Sequence, residues 1–206
     1  MSKYKLFLLV IFVAVLVWSR IGTVSPSYWL LENSPIFVIM LLFILLHRYI
    51  KLSNTSYTFI VIYMMFPLVT SHYGVTGVPL GDYVGDLLGS SRNVYDKITH
   101  FAFGFLGFYP IQEFVMSVTK KEGLFNYYIP LESVIALSAL YEIFEWLAAR
   151  TVNPVLAAGF FGPQGDIFDT QKDMGIATVG ALCAMLIIFL YRKYKQPISS
   201  SQQKLL

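Results

Sequence analysis

The sequence predicts an all-α fold, a polytopic transmembrane bundle of about six helices. Composition is the first observation: of 206 residues, 56% are hydrophobic and only 13% are charged, where a soluble domain carries about 25% charge. The second is distribution. The apolar residues, at a mean hydropathy of +0.63, fall in blocks long enough to cross a bilayer, separated by short polar stretches. The third is that these blocks use up nearly the whole chain, which leaves one domain, 1–195, and a polar cytoplasmic tail, 196–206.

Segment one is expected over residues 5–20, with an unbroken apolar core from Leu6 to Trp18. Lys3 and Lys5 ahead of it also suit a signal peptide, but no convincing small-x-small cleavage site follows Trp18. An uncleaved anchor is therefore the preferred reading and a cleaved signal peptide the alternative. Segment two covers 35–50 and ends among His47, Arg48 and Lys51; segment three covers 57–71, with a kink expected at Pro67. A Gly-rich polar loop follows, 72–95. Segment four, 96–116, contains Gly104, Gly107 and Pro110. Small residues three apart let helices approach closely in lipid, so this helix is expected at the centre of the bundle. Segments five and six cover 128–149 and 173–194, joined by a second Gly- and Pro-containing loop from Asn153 to Gln171.

Charge sets the expected orientation. With the N-terminus inside, ten of the fifteen basic residues lie on the inner side, so both termini are expected in the cytoplasm of a multi-pass plasma (inner) membrane protein. Basic residues form no stripe interleaved with aromatics, which argues against nucleic acid as a partner. Cys183 is the single cysteine and lies in an apolar run, so no internal disulfide and no thiolate metal site can form. The lipid bilayer is the expected partner, and the sequence leaves the oligomeric state open.

The acids are skewed the other way, nine of twelve to the outer side. Asp96 and His100 are four apart at the start of segment four and share a helix face. Glu142 and Glu145 are three apart at the end of segment five. Asp169 and Asp173 are four apart at the start of segment six, if that helix begins a little early. His72 ends segment three. The topology brings all four helix ends to one side of the membrane. Glu142 lies about one turn deeper than Glu145, roughly 4.5 Å, where a carboxylate must be paired, protonated or metal-bound.

Carboxylate pairs with one or two imidazoles resemble the ligand set of a hard divalent metal ion. Oxygen ligands favour magnesium, manganese or calcium, and an imidazole draws the preference towards manganese, iron or zinc. The expected metal ligands are Asp96, His100, Glu142, Asp169 and Asp173, and the expected catalytic groups are Glu142, Glu145 and His100. A metal would polarise an oxygen or activate water; without one, two carboxylates could serve as general acid and base. Each residue also has a plainer reading. Asp96, Asp169 or Asp173 suits a helix N-terminus, Glu142 or Glu145 could pair with Arg92, Lys97, Arg150 or Lys172, and Tyr109, Tyr141 and Trp146 suit an interfacial belt.

Four motifs carry a resemblance: His72-Tyr73, the run from Arg92 to Phe101, the run from Tyr141 to Trp146, and the run from Gln164 to Met174. In this order they resemble the YjdF-like family of bacterial inner-membrane proteins, over most of the chain from segment two onward. A more distant resemblance, to VanZ-like membrane proteins, rests on Asp-Lys-x-x-His opening one helix, a Glu on the next and an Asp on the one after. The family resemblance implies a multi-pass membrane protein and no particular reaction. It also implies that Asp96, His100, Glu142, Glu145, Asp166, Asp169 and Asp173 are motif positions. Phe168 stands where Trp is expected and Lys97 where Arg is common, and neither change removes a carboxylate or imidazole. Substrate-binding candidates are His72, Arg92, Gln164 and Asp166.

Three functions are compatible with this pattern. The first is a metal-assisted membrane enzyme acting on a lipid-linked or envelope substrate at the extracytoplasmic face. The second is a non-catalytic assembly protein whose cluster is a structural ion-pair network. The third is a cation- or proton-coupled transporter, which the position of the polar groups near one face makes less suitable.

Overall fold

The computed structural model describes residues 2–46, 51–120, 123–152 and 166–195. Within them the chain is all-α, with eight helices and no strand: α1 (Lys3–Arg20), α2 (Pro26–Glu32), α3 (Ser34–Leu46), α4 (Asn54–Tyr73), α5 (Pro79–Leu87), α6 (Tyr95–Thr119), α7 (Phe125–Thr151) and α8 (Asp169–Lys195). The tail 196–206 and most of the loop 153–171 lie outside the described residues, as do His47, Arg48 and Lys121.

Local chemistry explains the ends. The Ser2 and Ser53 hydroxyls accept from backbone N–H groups in the first turns of α1 and α4, supplying partners that a helix N-terminus otherwise lacks. Ser25 caps α2, and Pro26 follows at its first turn, where a missing N–H costs nothing. The Gly-rich loop expected at 72–95 contains helix α5. Pro79 starts it, and Gly81 and Gly85, four apart and buried, let it lie close against residues 92–95. Segment two likewise gains a preceding helix. α2 and α3 meet at a 45° bend centred on Asn33, whose side-chain amide donates to the Trp29 carbonyl at 2.8 Å.

Helix α6 is the centre of the bundle and packs on α4, α5, α7 and α8, while α1 lies against α4. The α6–α8 contact is the most extensive. A methyl group added at Gly104 would run into the Ala177 carbonyl, and one at Gly180 into the Phe101 carbonyl. Both glycines are therefore close-approach positions of the small-residue type. Gly107 meets only the Phe103 ring. One apolar cluster joins Phe12, Ile36, Met64 and Leu68 across α1, α3 and α4; another joins Phe108, Val134, Ala181 and Ala184 across α6, α7 and α8.

Outward faces are apolar. Phe7 and Val10 on α1, Leu41 and Ile44 on α3, Leu140 on α7, and Leu186 and Ile187 on α8 are each more than half exposed, a surface that suits lipid and not water. By length and composition, α6 and α8 can each cross a membrane, and the bent α2–α3 pair can form a third span. Helices α1, α4 and α7 have 18, 20 and 27 residues but carry more polar groups. Three basic residues lie in α1, and Glu132, Glu142, Glu145 and Arg150 lie in α7.

At the end of the bundle away from the acid-rich cluster, Glu113 on α6 accepts from the Ser53 N–H (3.0 Å), the Ser53 hydroxyl (2.9 Å) and the Ser56 hydroxyl. The buried Gln112 donates to the Asn126 carbonyl at 2.6 Å and accepts from Arg192 at 3.0 Å. These contacts fix the register of α6 against α4, α7 and α8.

Candidate functional site

The start of α6 presents Asp96, Lys97 and His100, and the first turns of α8 present Asp169 and Asp173. Lys97 is the hub. Its ammonium lies 2.6 and 2.8 Å from the two Asp173 oxygens, 2.7 Å from Asp169 Oδ1 and 3.3 Å from Asp96 Oδ2. Arg92, just ahead of α6, donates to Asp166 at 3.2 Å and to Asp169 at 3.1 Å. Asp166 also accepts from the Phe168 N–H at 3.0 Å and from Lys172. The Lys172 ammonium and the Phe168 N–H hold the Asp166 carboxyl below its ordinary range, with Arg92 adding to the effect. This half of the cluster is an ion-pair network binding α6 to α8.

The other half centres on His100, which is 5% exposed. Its Nε2 lies 3.5 Å from Asp96 Oδ1 and 3.4 Å from Glu142 Oε1. Asp96 and His100 are one turn apart on α6, and Glu142, 6% exposed, comes from α7. Both carboxylates thus lie beside the same ring nitrogen. The Tyr141 ring closes on it edge-to-face, with centroids 5.9 Å apart. Asp96, His100 and Asp173 each offer a ligand atom within 4.8 Å of the others. Oxygen and imidazole donors suit a divalent cation, although both Asp173 oxygens already face the Lys97 ammonium.

A cavity of about 450 Å³ opens beside this group, between α2, α3, α4, α6 and α7. Its walls are mainly apolar, with Ile39, Met64, Phe103, Leu137, Leu140 and Phe144 among them. Its polar lining includes Glu32, Asp96, His100, Glu145 and the tyrosines 28, 63 and 141. Both the size and the mix of apolar walls with a few convergent polar groups match a small-molecule site, which typically encloses about 300–1,000 Å³.

Of the residues singled out in the sequence, Asp96, His100, Glu142, Asp169 and Asp173 do meet, at the junction of α6, α7 and α8. They divide by role. Asp96, His100 and Glu145 line the cavity, whereas Glu142, Asp169 and Asp173 do not. His72 is elsewhere. It stacks on Trp18 of α1 at a centroid distance of 4.3 Å, and its Nδ1 lies 3.3 Å from the Ser19 carbonyl. Arg92 and Asp166 hold each other, and Gln164 lies outside the described residues.

Glu32 and Ser138, both in the cavity wall, were not among the residues singled out. Glu32 is 7% exposed and accepts from the Tyr28 hydroxyl at 3.1 Å. The i,i+4 spacing of Tyr28 and Glu32, just ahead of an apolar block, was the available signal. Ser138 is 1% exposed, and its hydroxyl has no hydrogen-bond partner among the described residues. Nothing in its sequence context separates it from other helical serines.

No solved structure matches the chain. It is 33% identical, over 179 residues, to the inner membrane protein YjdF of Escherichia coli (strain K12), with 86% of this chain and 84% of the relative covered. The family model described as "Predicted membrane protein (DUF2238)" matches residues 4–194. With nearly its whole length accounted for by that match, the chain belongs to the DUF2238 family of predicted membrane proteins.

Proposed function

We propose that this protein is a multi-pass membrane enzyme that carries out acid–base chemistry on an amphiphilic, lipid-linked or envelope substrate at the extracytoplasmic face. One observation carries the reading: a buried histidine, flanked by two carboxylates, lines a cavity whose other walls are largely apolar. Apolar walls suit the chain of a lipid, and the imidazole and carboxylates suit proton exchange with its polar end. In this reading His100 exchanges a proton with the substrate, and Asp96 or Glu145 handles the complementary proton. Glu142 acts as a positioning residue, since it touches His100 without lining the cavity. The Lys97 and Arg92 network is assigned to holding α6 on α8.

The six-span arrangement with both termini cytoplasmic belongs to the same proposal. It turns the polar residues of α4 and α7 towards the bundle and leaves their apolar residues to lipid.

A metal-assisted form is a second reading, supported by the mutual approach of Asp96, His100 and Asp173. A divalent ion there would polarise a substrate oxygen. It would have to displace the Lys97 ammonium from Asp173, so this form predicts a stoichiometric ion in purified protein and its loss in Asp173→Asn.

The test is incubation of detergent-purified protein with a total membrane lipid extract, read by mass spectrometry. Wild type is expected to convert at least one amphiphile that His100→Gln and Asp96→Asn leave unchanged, with both variants folded. Conversion by wild type and variants alike would overturn the assignment of these residues. No conversion in any extract would overturn the enzymatic reading.

A further inference from the structure

The cavity also restricts what kind of polar head it can receive. Glu32, Asp96 and Glu145 line it, and no lysine or arginine does among the described residues. Nearby cations do not offset this. Arg20 and Arg150 lie over the rings of Trp29 and Trp146, and the remaining fixed cations at this end of the bundle, among the described residues, are Arg92, Lys97 and Lys172. Those cations are already engaged by Asp166, Asp169 and Asp173. An anionic head placed in this cavity would be taken out of water with no fixed cation in the wall to pair with it, which is costly.

A second, independent feature points to a ligand. Ser138 presents a hydroxyl that is almost wholly buried, lines the cavity and has no hydrogen-bond partner among the described residues. It sits seven residues before Glu145 on α7, roughly 10 Å along the helix. Leaving such a group without a partner costs free energy that a bound polar atom would recover.

The walls show where an amphiphile could come in. α3 and α7 both line the cavity, but they are not among the helix pairs that pack along their length. Val38 and Ile39 on α3 and Leu137 and Leu140 on α7 line the cavity and are exposed. Apolar side chains thus edge the gap between the two helices.

We infer that the cavity takes an amphiphile from the bilayer, through the gap between α3 and α7, whose head donates hydrogen bonds and carries no negative charge. A hydroxyl or ammonium head donates to Glu32 and Glu145, and the chain lies along Leu137, Leu140 and Phe103. The inference deepens the proposed function and rests on the cavity being the substrate site.

Binding to the full-length protein in detergent, by titration calorimetry, tests it with four probes of equal chain length: dodecylamine, monododecanoylglycerol, dodecanoate and dodecyl phosphate. The amine or the glyceride is expected to bind at least about tenfold more tightly than both anions. Glu32→Gln is expected to shrink that ratio, and the wild-type ratio alone decides the matter if the variant does not fold. Equal or tighter binding of either anion would overturn the inference, as would binding of none of the four. Discrimination without turnover of any lipid would instead sink the enzymatic reading alone. Turnover of an anionic amphiphile would sink this inference and leave that reading standing.

Discussion

Lys97 Nζ on α6 lies 2.6 Å from Asp173 Oδ1 on α8, and the same ammonium holds Asp169 and Asp96. The Asp173 side chain is 4% exposed and that of Lys97 21%, so removing the cation strands a nearly buried carboxylate. Lys97→Met is expected to cost roughly 3 kcal/mol, seen as a lower Tm in detergent. A loss no larger than that of an exposed control such as Lys193→Met would show that the network does not bind α6 to α8.

The same pair of helices depends on two glycines. Gly104→Val and Gly180→Val are each expected to destabilise by about 1–3 kcal/mol, because the added side chain meets backbone that has no room to yield. Gly107→Ala is expected to be neutral or to stabilise by up to about 1 kcal/mol, since it relieves a helical glycine with only the Phe103 ring nearby. Thermal unfolding of the three variants separates these outcomes, and equal losses at all three positions would contradict the α6–α8 geometry.

Acid should loosen the clamp at the start of α8. Because the folded-state value of the Asp166 carboxyl lies below its ordinary one, its contribution to stability is present above the ordinary value and is lost as pH falls through the folded one. Asp166→Asn is therefore expected to show a smaller loss of Tm than wild type below about pH 4. Identical acid profiles would remove Asp166 from the clamp.

Topology provides a further check. In a Cys183→Ser background, Asp86→Cys on α5 is expected to react with an impermeant maleimide in intact cells, and Lys193→Cys only after the membrane is opened. The reverse pattern would place the site in the cytoplasm.

Much of the architecture could be read from the chain because membrane helices announce themselves through length and hydropathy. The blocks starting near Lys5, Tyr57, Asp96 and Tyr128 correspond to α1, α4, α6 and α7 with boundary shifts of a few residues. Helix α5 was hidden because Gly81 and Gly85 lower local helix propensity, and only packing against residues 92–95 makes those glycines favourable. Helix α8 begins at Asp169, so Asp169 and Asp173 do share one helix as their spacing suggested.

The site was legible in part, for a comparable reason. Carboxylates and imidazoles stand out against an apolar background, and the i,i+4 rule placed Asp96 with His100. Spacing along one helix does not tell which neighbour takes each charge. Only the fold shows that Lys97 serves three aspartates, that Glu142 lies behind His100, and that Glu32 from another helix joins the cavity. His72 drew notice for its residue type, yet the fold stacks it on Trp18.

The central claim is a division of labour between a network that holds the helices and a histidine that does chemistry. Turnover per folded molecule, measured on membrane lipid extract for His100→Gln and Lys97→Met side by side with Tm, tests it most directly. The account predicts that His100→Gln keeps its Tm within a few degrees and loses turnover, and that Lys97→Met loses Tm while its folded fraction still turns over. Full turnover by folded His100→Gln would contradict it.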